Sequence, residues 1–272
     1  MTNKKYVAYI DVDGTLVGLD GSVPQSAKDA IQAFRSAGNK AFLATGRSKA
    51  ELTDDILGIG FDGIIGAGGS YIEIENEIIK HIKMTVDQVE SITAYFDTHH
   101  VGYYLESNQG LYASEYCISS IQSVFEATNV DDDFQWFFKI LERSAKREVP
   151  KDDINKICFI SLTHPFEKVF ETFDQEFEVY HITVPQFGKE SGEIGLKGID
   201  KKTAIQVVDS IIGDYDSIAI GDGLNDIAMF EAVNYSIAME NGHERLKNKA
   251  DEVTETADEK GLFNAFQRNG WI

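Results

Sequence analysis

The sequence predicts an α/β protein, a doubly wound parallel sheet into which a second, α+β domain has been inserted. Three features carry that prediction. Apolar strand-like runs alternate with helix-spaced runs over the first 67 residues, the same rhythm returns near residue 200, and between them strand candidates follow one another directly. The core is therefore assigned to residues 1–81 and 193–272, and the insertion to residues 82–192.

The elements follow in order. Residues 5–10 are an apolar strand, and residues 26–38 place Ala27, Ala30, Ile31, Phe34 and Ala37 at helical spacing before Gly38 ends the helix. Residues 40–45 form a second buried strand, 48–60 a helix and 63–67 a short third strand. GAGGS, residues 66–70, lacks the third glycine of a dinucleotide loop and precedes no helix, so it reads as a turn between strands. In the insertion, a helix over 86–99 leads into two successive strands over 101–114, the mark of a hairpin and an antiparallel sheet. A helical segment near 116–128 and strands at KICFISL and FEVYHIT complete it. Tyr103, Tyr104, Tyr112 and Tyr116 read as its core, His99 and His100 as a helix end, and Asp131 to Asp133 as a solvated loop. The core resumes with a helix at 200–212, a strand from 216 that ends in a loop reaching 226, helices at 227–233 and 242–250, and a strand at 235–239.

Composition narrows the function. With 272 residues and 43% apolar side chains, the chain fills one large or two smaller cores. No apolar run approaches the roughly 20 residues of a membrane span, and MTNKKYVAYI enters a strand without the apolar stretch of a signal peptide, so a cytoplasmic location is expected. Cys117 and Cys158 lack disulfide or zinc spacing and read as buried thiols. With 25 basic against 45 acidic residues, the net charge of −20 disfavours nucleic acid and anionic membranes as partners. It also repels an anionic substrate, so a phosphate site in this chain needs local positive charge, most simply a divalent cation held by carboxylates.

The carboxylates for such a site stand where an open parallel sheet gathers its reactive groups, beyond the carboxyl ends of the strands. VAYIDVDGTLVG, residues 6–17, ends the first strand in Asp11 and Asp13; Thr45 ends the second, and Asp222 and Asp226 follow a late one. With a lysine at the start of the helix after the insertion, these residues predict a Mg2+ site beside a phosphate site. Asp11 and Asp222 suffice as side-chain ligands, and the backbone carbonyl of Asp13 is available as a third. Asp11 then serves as a nucleophile that takes the phosphoryl group as an aspartyl-phosphate. Asp13, not bound to the cation, is expected to keep a proton for the leaving group and later to accept one from the attacking water. Gly14 permits the tight turn, the Thr15 backbone N–H faces a phosphate oxygen, Thr45 adds a hydroxyl donor, and the lysine adds fixed positive charge.

DVDGTLV at 11–17, the strand ending in Thr45-Gly46-Arg47, the lysine of GIDK at 198–201 and GDGLNDIAMF at 221–230 together resemble the four ordered motifs of the haloacid dehalogenase-like hydrolases. SIAMENGHERLKNKADEVTETADEKGLFNAF, residues 236–266, is similar to their Cof-like branch, subfamily IIB, whose large α/β cap interrupts a Rossmann-like core between the second and third motifs. The resemblance implies Asp11 as nucleophile and Mg2+ ligand, and Asp13 as general acid/base and backbone ligand. It implies Thr45 as a phosphate binder within the catalytic set, and Gly14, Thr15, Gly46, Arg47 and Asn225 as phosphate- or substrate-binding positions. Asp222 and Asp226 are implied on the metal. Among Lys197, Lys201 and Lys202, the Gly-apolar-small polar-Lys pattern selects Lys201, although Lys202 stands where the branch commonly has a small residue.

The implied activity is Mg2+-dependent hydrolysis of a small phosphorylated metabolite, with sugar phosphates first, and selection of the substrate is expected in the cap, including the loop from Gln186 to Glu193. The competing reading is a receiver-like module that stores phosphate on an aspartate, or a phosphate-ester binder without turnover. Receivers are shorter and carry their aspartate on a middle strand, and no catalytic position is missing here. The sequence leaves the oligomeric state open.

Overall fold

The computed structural model describes residues 4–18, 21–128, 141, 149–182 and 187–272. They form two compact units, one of Met1–Arg47, Leu52–His81 and Ile199–Ile272, the other of Ser48–Glu51 and Ile82–Gly198. In chain order the strands are β1 (Tyr6–Ile10), β2 (Lys40–Ala44), β3 (Gly63–Gly66), β4 (Tyr71–Ile74), β5 (Glu77–His81), β6 (Gly102–Ser107) and β7 (Leu111–Ala113). They continue with β8 (Ile154–Ile160), β9 (Phe177–His181), β10 (Gly192–Leu196), β11 (Asp216–Gly221), β12 (Tyr235–Met239) and β13 (Glu252–Thr254). The helices are α1 (Gln25–Ser36), α2 (Asp54–Leu57), α3 (Val86–Thr98), α4 (Cys117–Thr128), α5 (Phe166–Phe173), α6 (Lys201–Ile212), α7 (Ile227–Phe230), α8 (Glu244–Lys247) and α9 (Gly261–Arg268).

The first unit is an eight-stranded sheet in the order β13-β12-β11-β1-β2-β3-β4-β5, parallel from β13 to β3 and antiparallel beyond. Its parallel strands are apolar on both sides because both sides are covered. Along β1, Ala8 and Ile10 join a core with Ile31, Phe34 and Phe266, while Val7 and Tyr9 join another with Ala204, Ile205 and Val208. The chain leaves β1 toward β2 and β3 and later returns to β11 on the other flank of β1, which makes the β1–β11 junction the topological switch point of the sheet.

The second unit has a five-stranded antiparallel sheet in the order β7-β6-β8-β10-β9. One sheet face packs Leu105, Ile157, Phe159, Val179 and Ile194 against Val89, Ile92 and Phe96 of α3 and Val169 and Phe173 of α5. Thr85 and Gln88 close a reciprocal capping box at the start of α3. Tyr104, Cys158 and Ile160 occupy the other face with Leu111, Cys117 and Ile121.

Several local expectations shift. The insertion was assigned an end at residue 192, but β10 pairs with β8 and β9 from Gly192 onward, so the whole strand belongs to the second unit. The single helix expected over 48–60 breaks into a tight turn at Lys49–Glu51 and the short α2, with Thr53 extended between them. The cause is polar: Ser48 Oγ donates to Glu106 at 3.1 Å and Asn155 Nδ2 donates to Ser48 Oγ at 2.9 Å, which draws Ser48–Glu51 into the second unit. The helix expected over 242–250 is reduced to α8. β5 was not foreseen; Glu75 and Asn76, both at positive φ, turn the chain from β4 into it. Cys117 and Cys158 are free and buried, and Tyr104 and Tyr112 are buried while Tyr116 is exposed. Asp131 to Asp133 lie outside the described residues, among which no helix is long and apolar enough to cross a membrane.

One polar contact ties α1 to the sheet. The Asp62 carboxylate accepts from Arg35 Nε at 2.8 Å, Arg35 NH2 at 3.0 Å and the Ala41 N–H at 2.9 Å. Burial alone would raise this carboxyl, but the bonds from Arg35 and Ala41 outweigh it and hold the group below its usual 3.8. A depressed carboxyl adds stability above its unfolded value and loses it as pH falls through its folded one. Asp62→Ala is expected to cost about 2 kcal/mol in urea unfolding at pH 7, and the difference from the parent should narrow as pH falls below 3.8.

Candidate active site

Asp11 leaves the end of β1, where its N–H donates to Ile220 O at 3.0 Å. The next residues, Val12–Leu16, make one wide turn closed by Val17 N–H on Val12 O at 3.0 Å, with Asp13 and Gly14 outside helical backbone angles. Gly14 sits in it at φ +72°, and a Cβ there would lie 2.3 Å from Asp222 Oδ2, so the turn demands glycine on both counts. Gly69, at φ +116°, lets the β3–β4 turn approach the start of α6, where a Cβ would meet Asp200 O at 2.3 Å. Asp200 caps α6 by accepting from Thr203 N–H at 2.7 Å, which fixes Lys201 as the first helical residue.

Lys201 is 2% exposed, and its Nζ donates to Asp11 Oδ1 and Asp226 Oδ1 at 2.6 Å each. Asp226 is fully buried, and its other oxygen accepts the N–H groups of Asp222 and Gly223 at 3.0 Å each. Asp222 accepts from Asn241 Nδ2 at 3.3 Å and, over a long 3.5 Å, from Thr15 Oγ1. Asp11, Asp222 and Asp226 each offer one oxygen within 4.8 Å of the others. Hard carboxylate oxygens at this spacing suit a hard divalent cation. Asp226 accepts bonds of 2.6, 3.0 and 3.0 Å, whereas those on Asp222 are long, at 3.3 and 3.5 Å, and the bond from Lys201 falls on one Asp11 oxygen, so Asp11 and Asp222 retain the freer lone pairs.

The electrostatics are those of a crowded acidic pocket. Burial, then the charge of Asp226, raises the Asp11 carboxyl well above its ordinary value, with Lys201 pulling the other way. Burial, followed by Asp226 and Asp13, pushes Asp222 up to about 6. For Lys201, burial works against its charge, but Asp11 and Asp226 more than compensate and its pKa is raised.

Asp13 and Arg47 form a separate pair, with Arg47 NH2 on Asp13 Oδ1 at 2.6 Å and Nε on Oδ2 at 3.0 Å. The Arg47 side chain is mostly buried, whereas that of Asp13 is 63% exposed. From the sequence, Asp13 is expected to hold a proton for the leaving group; in the structure its carboxylate is paired with Arg47. Thr45 is buried at the end of β2 and its Oγ1 accepts the Arg47 N–H at 3.1 Å. Gly46 borders open space. Asn225 is exposed, with Oδ1 turned over Gly223. Of the three candidate lysines, Lys201 is the buried one bonded to the carboxylates, while Lys202 approaches Glu231 and Lys197 donates to Gln175 O. From the expected selectivity loop, Gln186 lies outside the described residues, Phe187 is buried, and Glu193 pairs with Lys156 at 2.7 Å. Sequence reasoning assigned no role to Asn241, whose only local signal is the Asn-Gly turn after β12.

A family model described as haloacid dehalogenase-like hydrolase matches residues 8–266. The phosphoglycolate phosphatase of Methanosarcina acetivorans is 26% identical over 97% of both chains. The 5-amino-6-(5-phospho-D-ribitylamino)uracil phosphatase YwtE of Bacillus subtilis is 24% identical over 93% of this chain and 94% of its own. Among solved structures, the subclass IIB sugar phosphatase BT4131 superposes with a TM-score of 0.75 at 22% identity, covering 98% of this chain and all of its own.

A carboxyl raised in the fold binds a proton there that the unfolded chain lacks, so its contribution is lost as pH rises from 3.8 through about 6. In chelator, thermal melts should therefore rise as pH is lowered from 7.5 toward 6. Asp222→Asn should flatten that dependence and raise the metal-free Tm at pH 7.5 by roughly 2–4 °C, the equivalent of about 1 kcal/mol at this chain length.

Proposed function

The chain belongs to the haloacid dehalogenase-like hydrolase family, and from that premise we propose that it is a Mg2+-dependent phosphatase acting through an aspartyl-phosphate on Asp11. Small phosphorylated metabolites are its substrates, sugar phosphates first among them. The observation that carries the proposal is the placement of Asp11, Lys201, Asp222 and Asp226 in one buried cluster beyond the switch point of the sheet. The sugar-phosphate assignment draws on the sugar phosphatase BT4131 as a structural neighbour and on the phosphorylated ribityl chain in the substrate of the Bacillus relative.

The chemistry divides among this chain's residues. An Asp11 oxygen attacks phosphorus as the ester P–O bond breaks, and Lys201 holds the other Asp11 oxygen and adds positive charge beside the transition state. Asp11, Asp222 and the backbone carbonyl of Asp13, with Asp226 in support, would hold Mg2+, whose charge would offset a carboxylate–phosphate repulsion of about 4 kcal/mol per charge pair at an effective dielectric of 20. Arg47 prefers a phosphate dianion to a single carboxylate, so an arriving substrate draws the guanidinium from Asp13. The freed Asp13 carboxylate takes up a proton from solvent and gives it to the departing alkoxide, then takes one back from the water that hydrolyses the aspartyl-phosphate. Thr45, with Gly14, Thr15, Gly46 and Asn225, is assigned to the phosphate. The inserted unit is assigned the role of the cap, and substrate selection with it.

Phosphate release from p-nitrophenyl phosphate tests the scheme. Chelation should abolish turnover, and Asp11→Asn should lower kcat on the order of 10^4-fold or more; full activity in either case overturns the mechanism. Asp13→Asn should cost about 10^2 to 10^4-fold on an alkyl phosphate and distinctly less on p-nitrophenyl phosphate, whose leaving group needs no proton.

A further inference from the structure

Asp222 lies in a loop that its own segment does not hold alone. The segment after β12 is docked on it: His243 N–H donates to Asp222 O at 2.9 Å, and a Cβ on Gly242 would stand 3.2 Å from Asp222 Cα. From that segment Asn241 extends its amide, and Nδ2 donates to Gly14 O at 2.9 Å and to Asp222 Oδ2 at 3.3 Å. One amino group thus uses its two hydrogens to join the turn that carries Asp13 to the carboxylate that follows β11.

We infer that Asn241 is a positioning residue for the divalent cation, setting the Asp222 carboxylate against the Asp11–Gly14 turn. The inference rests on the cation site proposed above. Three features make an amide suited to the task. The Asp222 carboxylate is restrained by two long bonds, from Thr15 Oγ1 at 3.5 Å and Asn241 Nδ2 at 3.3 Å, so the amide supplies the shorter of the two and the one on Oδ2. A lysine or arginine in that position would steady it but would also compete with the cation for its oxygens. A neutral donor orients the carboxylate without that competition. The second hydrogen, on Gly14 O, fixes the one turn whose glycine has no room for a side chain beside Asp222. Outer groups that orient metal ligands typically govern affinity by 10- to 100-fold.

Mn2+ binding to the full, substrate-free chain, followed by electron paramagnetic resonance of the free ion, measures the effect independently of turnover. Asn241→Ala should weaken Mn2+ binding about 10-fold while leaving the metal-free Tm near that of the parent, and excess Mg2+ should restore kcat. Asn241→Gln, which keeps the donor on a longer stem, should fall between the two, roughly 3- to 5-fold weaker than the parent. Glu240→Ala, in the same segment, should bind as the parent does. An Asn241→Ala protein whose affinity stays within about twofold of the parent overturns the inference; if that variant does not fold, the same threshold is applied to Asn241→Gln. A parent that fails to bind Mn2+ removes the cation site itself and this inference with it, whereas a parent that binds beside unaffected variants removes the role of Asn241 alone.

Discussion

The first unit depends on one ammonium group. Lys201 stands 2.6 Å from a carboxylate oxygen of Asp11 and 2.6 Å from one of Asp226, with all three side chains almost wholly out of water. Removing a charge from water costs several kcal/mol unless partners of opposite sign replace the lost hydration. One lysine cannot neutralise Asp11, Asp226 and Asp222 together, so the pocket carries surplus negative charge by construction. Burial first, and then that surplus, raise Asp11 and Asp222, and the surplus would favour a divalent cation in the pocket. Receptivity to the cation and cost to the fold have a common electrostatic origin.

Each charge is delivered by a separate local device. The β1–β11 pairing delivers Asp11 and Asp222 to adjacent strand ends, since Ile10 lies opposite Ile220 in the register. The Asp200 cap starts α6 where Lys201 becomes its first residue, and Gly69 opens the space for that helix start. Asp226 is fixed by two backbone N–H groups of its own loop, those of Asp222 and Gly223. A change in any one device moves a charge relative to the others, and at 2.6 Å between buried partners small movements matter.

Much of this was legible from the sequence because parallel strands advertise themselves. Their apolar runs end abruptly, and the residues at those ends, Asp11, Thr45 and Asp222, need no knowledge of side-chain direction to be gathered at one edge. The Gly198-Ile199-Asp200-Lys201 pattern, which resembles the family's third motif, points to the lysine that lies buried against Asp11 and Asp226. What stayed hidden depends on contacts distant in sequence. Ser48–Glu51 has helical composition, yet partners more than 50 residues away, Glu106 and Asn155, hold it in the other unit. Arg47 on Asp13 and Asn241 on Gly14 are likewise long-range pairs, and local spacing carries no trace of them. The β4–β5 turn escaped because Glu75 takes a left-handed conformation usually left to Gly, Asn or Asp.

The second unit meets the same problem with different chemistry. Lys156 lies between Glu106 at 3.4 Å and Glu193 at 2.7 Å, and Glu51 adds a further buried carboxyl beside Glu106. Burial and then the charge of Glu106 raise Glu51 well above the ordinary range, with Lys156 pulling the other way. The Glu51 carboxyl also accepts the Ser48 N–H at 2.8 Å, closing the turn that begins directly after Arg47. Glu106 accepts from the Ser48 hydroxyl and the Cys158 thiol, and Asn155 steadies that hydroxyl by donating to it. A cluster of that kind can shed surplus charge by keeping a proton, but in the Asp11 pocket a protonated Asp11 would be neither a nucleophile nor a strong ligand. Among the ways to compensate a buried carboxylate cluster, a cation leaves the oxygen electron pairs available for chemistry and a proton does not. The distinction separates a cluster suited to catalysis from one suited to holding a chain segment in place.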